Sequence, residues 1–160
     1  MDTAVWFNDL REFLSVCKDI DKVQVLKGVH WQDEMGMLVE AMAEKKGPIL
    51  LFDDIPGYPG GFRVVGNVFH TLARTALAMR LPINKNGVEL LNLWRNLVKE
   101  FQPIPVREVT KGSVCENVDE DTAVNLLKFP APRWHSPDGG RYLGTGCAVF
   151  CALVVARMIF

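Results

Sequence analysis

Hydrophobic positions in the first hundred residues change spacing several times, and each change marks an element. Leu10, Phe13, Leu14 and Cys17 recur at three- and four-residue intervals, which predicts a helix over Asp9–Ile20. Asn8 stands where an N-cap belongs, its side-chain oxygen placed to accept an orphan N–H of the first turn. Val23 and Val25 then alternate with polar neighbours, a short strand signal. Met35, Leu38, Val39 and Met42 restore helical spacing over Asp33–Lys46, and Gly47-Pro48 closes that helix. Its methionines could form a sulfur ligand set, but methionine at helical spacing ordinarily fills core gaps. Ile49–Phe52 is continuously apolar and too short for a helix, so it reads as a buried strand. Phe62–Val68 reads as another strand, Thr71–Met79 as a short helix ended by Leu81-Pro82, and Val88–Phe101 as the clearest helix. Leu90, Leu91, Trp94, Leu97, Val98 and Phe101 give that helix a broad apolar stripe. The expected core comprises Leu10, Phe13, Leu51, Phe52, Val65, Leu91, Trp94 and Val98.

Beyond the prolines at 103 and 105 the pattern shortens. Val106–Val109 and Val114–Val118 look like strands flanking a turn at Lys111-Gly112, and Asp119-Glu120-Asp121 opens a helical turn with Asp121 as its cap. Helices and strands interleave up to Phe101, whereas strands and loops dominate afterwards. An α+β domain over residues 1–112, followed by the opening of a mainly β domain over 113–160, fits this change.

At 160 residues the chain holds one domain or one and a half. Eighteen Lys and Arg against nineteen Asp and Glu give a net charge of −1, with both signs mixed along the length. That balance argues against nucleic acid or an anionic membrane as the main partner. Cys17, Cys115, Cys147 and Cys151 show no C-x-x-C pairing, so reduced thiols in a cytoplasmic protein are expected rather than a disulfide framework or zinc site. Asp2 and the lack of a basic-then-apolar opening speak against a signal peptide.

Candidate chemistry is sparse before residue 129. Asp53 and Asp54 could ligate a metal or act as an acid/base pair, although no third ligand lies near them and a solvated strand end is simpler. Asp119-Glu120-Asp121 lacks the glycine and spaced oxygens of a calcium loop. His70 suits a capping or surface role. The stretch Phe129-Pro130-Ala131-Pro132-Arg133-Trp134-His135-Ser136-Pro137-Asp138-Gly139-Gly140-Arg141-Tyr142-Leu143-Gly144-Thr145-Gly146 is different. Its prolines and glycines forbid regular structure through the first half, leaving large polar and aromatic groups on a stiff loop. Such a loop more often carries a site than a linker does. Arg141–Gly146 then reads as a strand whose small residues permit close approach to the backbone. Taken alone, Gly144-Thr145-Gly146 is no more than a β-turn signal.

The order P-A-P-R-W-H-x-x-D-G-G-R-Y-x-G-T-G resembles the signature of the UbiD-type decarboxylases. Asp9–Leu14, Gly57-Tyr58-Pro59-Gly60-Gly61, Val65-Gly66-Asn67, Pro103-Ile104-Pro105, Glu116-Asn117-Val118 and Leu126–Phe129 follow in that family's order, so residues 9–149 look like the N-terminal third of such an enzyme. The resemblance implies an α/β N-terminal domain followed by a split β-barrel that holds the flavin, here only begun and incomplete. It implies prenylated FMN as cofactor, with Mn2+ and K+ assisting, and removal of carboxylate from an aromatic or α,β-unsaturated acid. A homo-oligomer is implied for the full-length relative. Thr145 is the position that contacts the flavin in that family, and Gly144 and Gly146 beside it leave room for a ring or a phosphate. The family's metal is not ligated through this loop, so His135 and Asp138 are expected to be structural, with His135 hydrogen-bonded to loop backbone.

After Val149 the likeness stops. Phe150-Cys151-Ala152-Leu153-Val154-Val155-Ala156-Arg157-Met158-Ile159-Phe160 carries no metal-ligand set and is too short to span a bilayer. A truncated or misread gene product is expected, with an unrelated strand or a membrane-contacting tail as alternatives. No catalytic residue is assignable: the family's arginine, its two carboxylates and its metal ligands have no counterpart here. The chain alone is therefore expected to be inactive, either as a piece of a decarboxylase or as a non-catalytic remnant or assembly module.

Overall fold

The computed structural model describes residues 7–100, 102–103, 105–106, 108–112 and 115–144. Five-residue strands β1 (Val23–Lys27) and β2 (Ile49–Asp53) pair in parallel, Val23 opposite Ile49 and Lys27 opposite Asp53. Parallel neighbours need a long crossover, and helix α2 (Glu34–Glu44) supplies it. The short β3 (Val64–Gly66) returns antiparallel to β2, giving the order β1-β2-β3 with the most apolar strand in the middle.

Alternation along the strands sorts the core into two layers. Val23, Ile49 and Val65 join Leu10, Phe13 and Cys17 of helix α1 (Leu10–Ile20) and Leu77 and Ala78 of helix α3 (Leu72–Ala78). Leu26, Leu50, Phe52 and Val64 meet Met35, Leu38, Val39 and Met42 of α2, together with Trp31, Tyr58 and Trp134. β2 is thus covered on both faces, as a continuous apolar run predicts. The fold is mixed α+β around a small sheet that does not close.

The α1 cap differs from expectation by one residue. Asp9, not Asn8, accepts from the Glu12 backbone, while Asn8 donates its backbone and side-chain N–H groups to the Glu12 carboxylate. Cys17 is fully buried and its thiol is pushed up to about 11, chiefly by desolvation, with the Arg74 charge opposing. Arg74 itself is fully buried. It donates to the carbonyls of Asn67 and Gly47 at 2.9 Å each and to the Thr71 hydroxyl at 3.0 Å, and its Nε lies 3.1 Å from Asp21. One guanidinium therefore ties the end of α1, the turn before β2, the residue after β3 and the cap of α3, because its donors are divided among four segments.

Helix α4 (Gly87–Lys99) begins with a reciprocal cap between Asn86 and Glu89. It packs through Leu90, Leu93, Trp94 and Leu97 against Ala76, Met79 and Leu81. Leu91 and Val98, expected in the core, are 56% and 47% exposed. Among the described residues α4 packs on α3 and the turn after it, which covers the Leu90 side of its broad stripe, and Trp94 is half-buried. No strand forms among the described residues of the expected Val106–Val109 and Val114–Val118, of which 107 and 114 lie outside the description; Val106 is 91% exposed. Residues 121–123 and 126–128 make isolated 3-10 turns, and Asp121 is the first residue of its turn rather than the cap.

Candidate functional site

Among the described residues, the proline–glycine loop is the one segment after α4 that returns to the sheet layer. Pro130, Ala131 and Pro132 are buried. The Arg133 N–H donates to the Trp31 carbonyl at 3.1 Å, and the Asp33 N–H donates to the Arg133 carbonyl at 3.0 Å. This pair makes a short parallel bridge between Gln32 and Arg133. The Arg133 side chain repeats the contact with a two-pronged ion pair, Nε to Oδ1 at 3.1 Å and Nη2 to Oδ2 at 2.8 Å of Asp33. That bond above all holds the Asp33 carboxyl below the ordinary carboxylate range and raises Arg133. Asp33 precedes α2 in a left-handed conformation, φ 65°, and makes no side-chain cap because its oxygens face the loop.

One turn into α2, Gly36 explains how closely the loop can lie. A Cβ there would stand 1.6 Å from the Trp134 carbonyl oxygen, so helix and loop touch backbone to backbone. The Trp134 ring enters the cluster with Met35, Leu50, Phe52 and Ile55, and its buried Nε1 meets no hydrogen-bond partner among the described residues. His135 sits outside this seam. Its Nε2 is 3.6 Å from Glu40 and its Nδ1 3.8 Å from Asp138. The ring therefore faces two carboxylates rather than loop backbone as expected; the backbone bonds are the His135 N–H to Asp138 Oδ2, 2.9 Å, and the Asp138 N–H to the His135 carbonyl, 3.1 Å.

The far end of the loop is fastened by Arg141. Its Nε donates to the Ala131 carbonyl at 2.7 Å, and Nη2 donates to the Phe129 carbonyl at 3.1 Å and to the Tyr58 hydroxyl. The guanidinium lies 4.0 Å over the Trp31 ring. The Tyr142 N–H donates to the Pro132 carbonyl at 3.0 Å, closing the loop on itself. From there the chain emerges through Leu143 and Gly144, both exposed. Of the three residues expected against the cofactor, Gly144 is described and Thr145 and Gly146 lie outside the described residues. Among the described residues no cluster of three His, Cys, Asp or Glu side chains could hold a metal. Among the described residues Asp53 and Asp54 gain no third ligand, and Asp119 pairs with Lys128. His70 is exposed, and Thr71 rather than His70 caps α3.

Trp31, Asp33 and Gly36 carry the docking surface and were not among the expected site residues. A glycine inside a helical pattern was the available signal, since it ordinarily needs a packing reason. Trp31 and Asp33 have no local signature, because their partners lie a hundred residues away.

Residues 18–94 match the 3-octaprenyl-4-hydroxybenzoate carboxy-lyase N-terminal domain, and residues 107–154 match the Rift-related domain of the same carboxy-lyase. Pyrrole-2-carboxylic acid decarboxylase of Pseudomonas aeruginosa is 32% identical over 147 residues, covering 86% of this chain and 29% of that protein. Vanillic acid decarboxylase of Sedimentibacter hydroxybenzoicus superposes in a closed form with a TM-score of 0.73 at 28% identity, over 86% of this chain and 29% of that one. An open form with truncated ShVdcD gives 0.72 at 28% identity, over 86% and 30%. The chain thus spans under a third of the length of these relatives, at their N-terminal part.

Proposed function

The chain belongs to the UbiD carboxy-lyase family, and from that premise we propose that it supplies the N-terminal layer and one cofactor wall of a decarboxylase acting on an aromatic carboxylic acid. Both named relatives act on acids whose carboxylate is attached to an aromatic ring, which favours that class over other unsaturated acids. The observation that carries the reading is the docked loop: bonds from Arg133, Asp33 and Arg141 and the closeness allowed by Gly36 hold a rigid base from which Gly144 emerges exposed.

In this reading Gly144, Thr145 and Gly146 receive prenylated FMN, the threonine hydroxyl offering a hydrogen bond and the glycines leaving space for the ring or its phosphate. When bound, the cofactor supplies the electron sink that decarboxylation requires. What this chain's own residues contribute is placement and exclusion of water along one side. Mn2+ and K+ belong to the same proposal, and among the described residues no group of three His, Cys, Asp or Glu stands ready to hold a metal. We place the domain boundary near Lys111-Gly112, with a split barrel beginning after it. A non-catalytic assembly module is the second reading, favoured by the exposed apolar residues Val106, Val109, Val118, Leu126 and Leu127, which offer surface to another part or partner.

The test is a graft in which residues 1–149 replace the matching part of the Pseudomonas relative. The graft should retain prenylated FMN on purification and release carbon dioxide from pyrrole-2-carboxylate. Thr145→Val should lower its flavin content at nearly constant volume. A graft that folds as well as the relative and carries no flavin would overturn the decarboxylase reading and favour the assembly module.

A further inference from the structure

Arg141 holds more partners than a loop residue needs merely to be solvated. Its guanidinium joins three segments far apart in sequence: the Trp31 ring after β1, the Tyr58 hydroxyl in the glycine-rich turn after β2, and the carbonyls of Phe129 and Ala131 at the loop's start. Each contact uses a different property of the side chain. Stacking on Trp31 needs a flat cation, the carbonyls need donors diverging at a fixed angle, and the phenol takes one further N–H. The next residue, Tyr142, gives its N–H to Pro132, and two residues later Gly144 is exposed. Arg133 and Gly36 fasten the other end of the loop through separate atoms. Docking of the loop and aim of its exit are therefore held by different groups.

We infer that Arg141 is a positioning residue: clamped between Trp31 and Tyr58, it fixes the backbone from Tyr142 to Gly144 and so sets where the cofactor wall begins. This rests on the reading that Gly144–Gly146 receive the flavin. It also gives the turn Gly57–Gly61 a task, since Gly57 and Gly61 adopt left-handed φ of 85° and 101° with open space around them. Those glycines shape the turn that presents Tyr58, rather than making room for packing.

Lysine at this position keeps the charge but loses the planar fork, so Arg141→Lys separates the clamp from simple electrostatics. Amide exchange on the whole chain, without cofactor, should show the Tyr142 amide losing protection at least tenfold in Arg141→Lys. The Asp33 amide, bonded to the Arg133 carbonyl, should keep its protection because the loop remains docked. Titration with prenylated FMN should show affinity lowered at least fivefold in Arg141→Lys, and by less in Tyr58→Phe, which removes one acceptor. Equal loss at Asp33 and Tyr142 would make Arg141 an ordinary structural residue and overturn the inference. So would unchanged flavin affinity in Arg141→Lys when Thr145→Val weakens it, a result that leaves the flavin reading standing. A wild-type chain that binds no prenylated FMN removes that reading, and the inference with it.

Discussion

At the scale of single residues, two positions decide whether the loop lies on the sheet layer. Gly36→Ala should improve helix propensity by about 1 kcal/mol, yet the added methyl has nowhere to go against the Trp134 carbonyl. Overpacking of this kind costs about 1–3 kcal/mol, and the expected net result is a loss of stability with greater solvent exposure of Trp134, read by urea unfolding and by its fluorescence. A net gain would mean that the loop does not rest on α2. The Asp33–Arg133 pair makes docking depend on acid. The folded-state carboxyl of Asp33 lies below its ordinary value, so the pair contributes stability above the unfolded value of about 3.9 and loses it as pH falls through the depressed folded one. The protection factor of the Asp33 amide should drop on acidification below pH 4, and Asp33→Asn should start low and stay flat.

At the scale of elements, α4 shows where periodicity is informative and where it stops. Spacing found the helix, and Asn86 and Glu89 fixed its start; the stripe alone did not say which flank would be covered. Leu90 and Leu91 are neighbours in sequence with opposite fates. Leu90→Ala should cost about 2–4 kcal/mol by opening a cavity beneath the helix, whereas Leu91→Ala should change stability by under about 0.5 kcal/mol. Similar losses at both positions, measured by chemical denaturation, would mean that α4 buries its whole stripe. The strands were legible to different degrees for the same reason. β2 carries its signal in Ile49–Phe52, because a strand covered on both faces is apolar throughout. Val106 and Val109 looked like strand residues too, but a strand is defined by its partner, and none stands beside them among the described residues. Buried Arg74 was invisible for the opposite reason: its four partners converge only once the sheet layer has formed.

At the scale of the molecule, the proline–glycine loop was legible as a special stretch, and its residue order pointed to the family that the comparisons bear out. Its mode of attachment was not legible, because Trp31, Asp33, Gly36 and Tyr58 acquire meaning only through contacts across 83 to 110 positions. The resulting picture is a small mixed sheet with helices on one face and, on the other, a helix together with a loop that exits toward Gly144. In the proposed reading this layer lines one side of a planar cofactor. Turnover needs further groups acting as a unit, so incubating the chain with prenylated FMN, Mn2+, K+ and aromatic acids should release no carbon dioxide above a no-protein control.

In the proposed reading the loop presents its exit, and not another surface, to the cofactor. Amide exchange of the chain with and without prenylated FMN tests this directly. Protection gained on binding should concentrate on Tyr142–Gly146, with the sheet amides of β1 and β2 unchanged. Protection that appears elsewhere, or none at all between Tyr142 and Gly146 at saturating cofactor, would contradict the assignment.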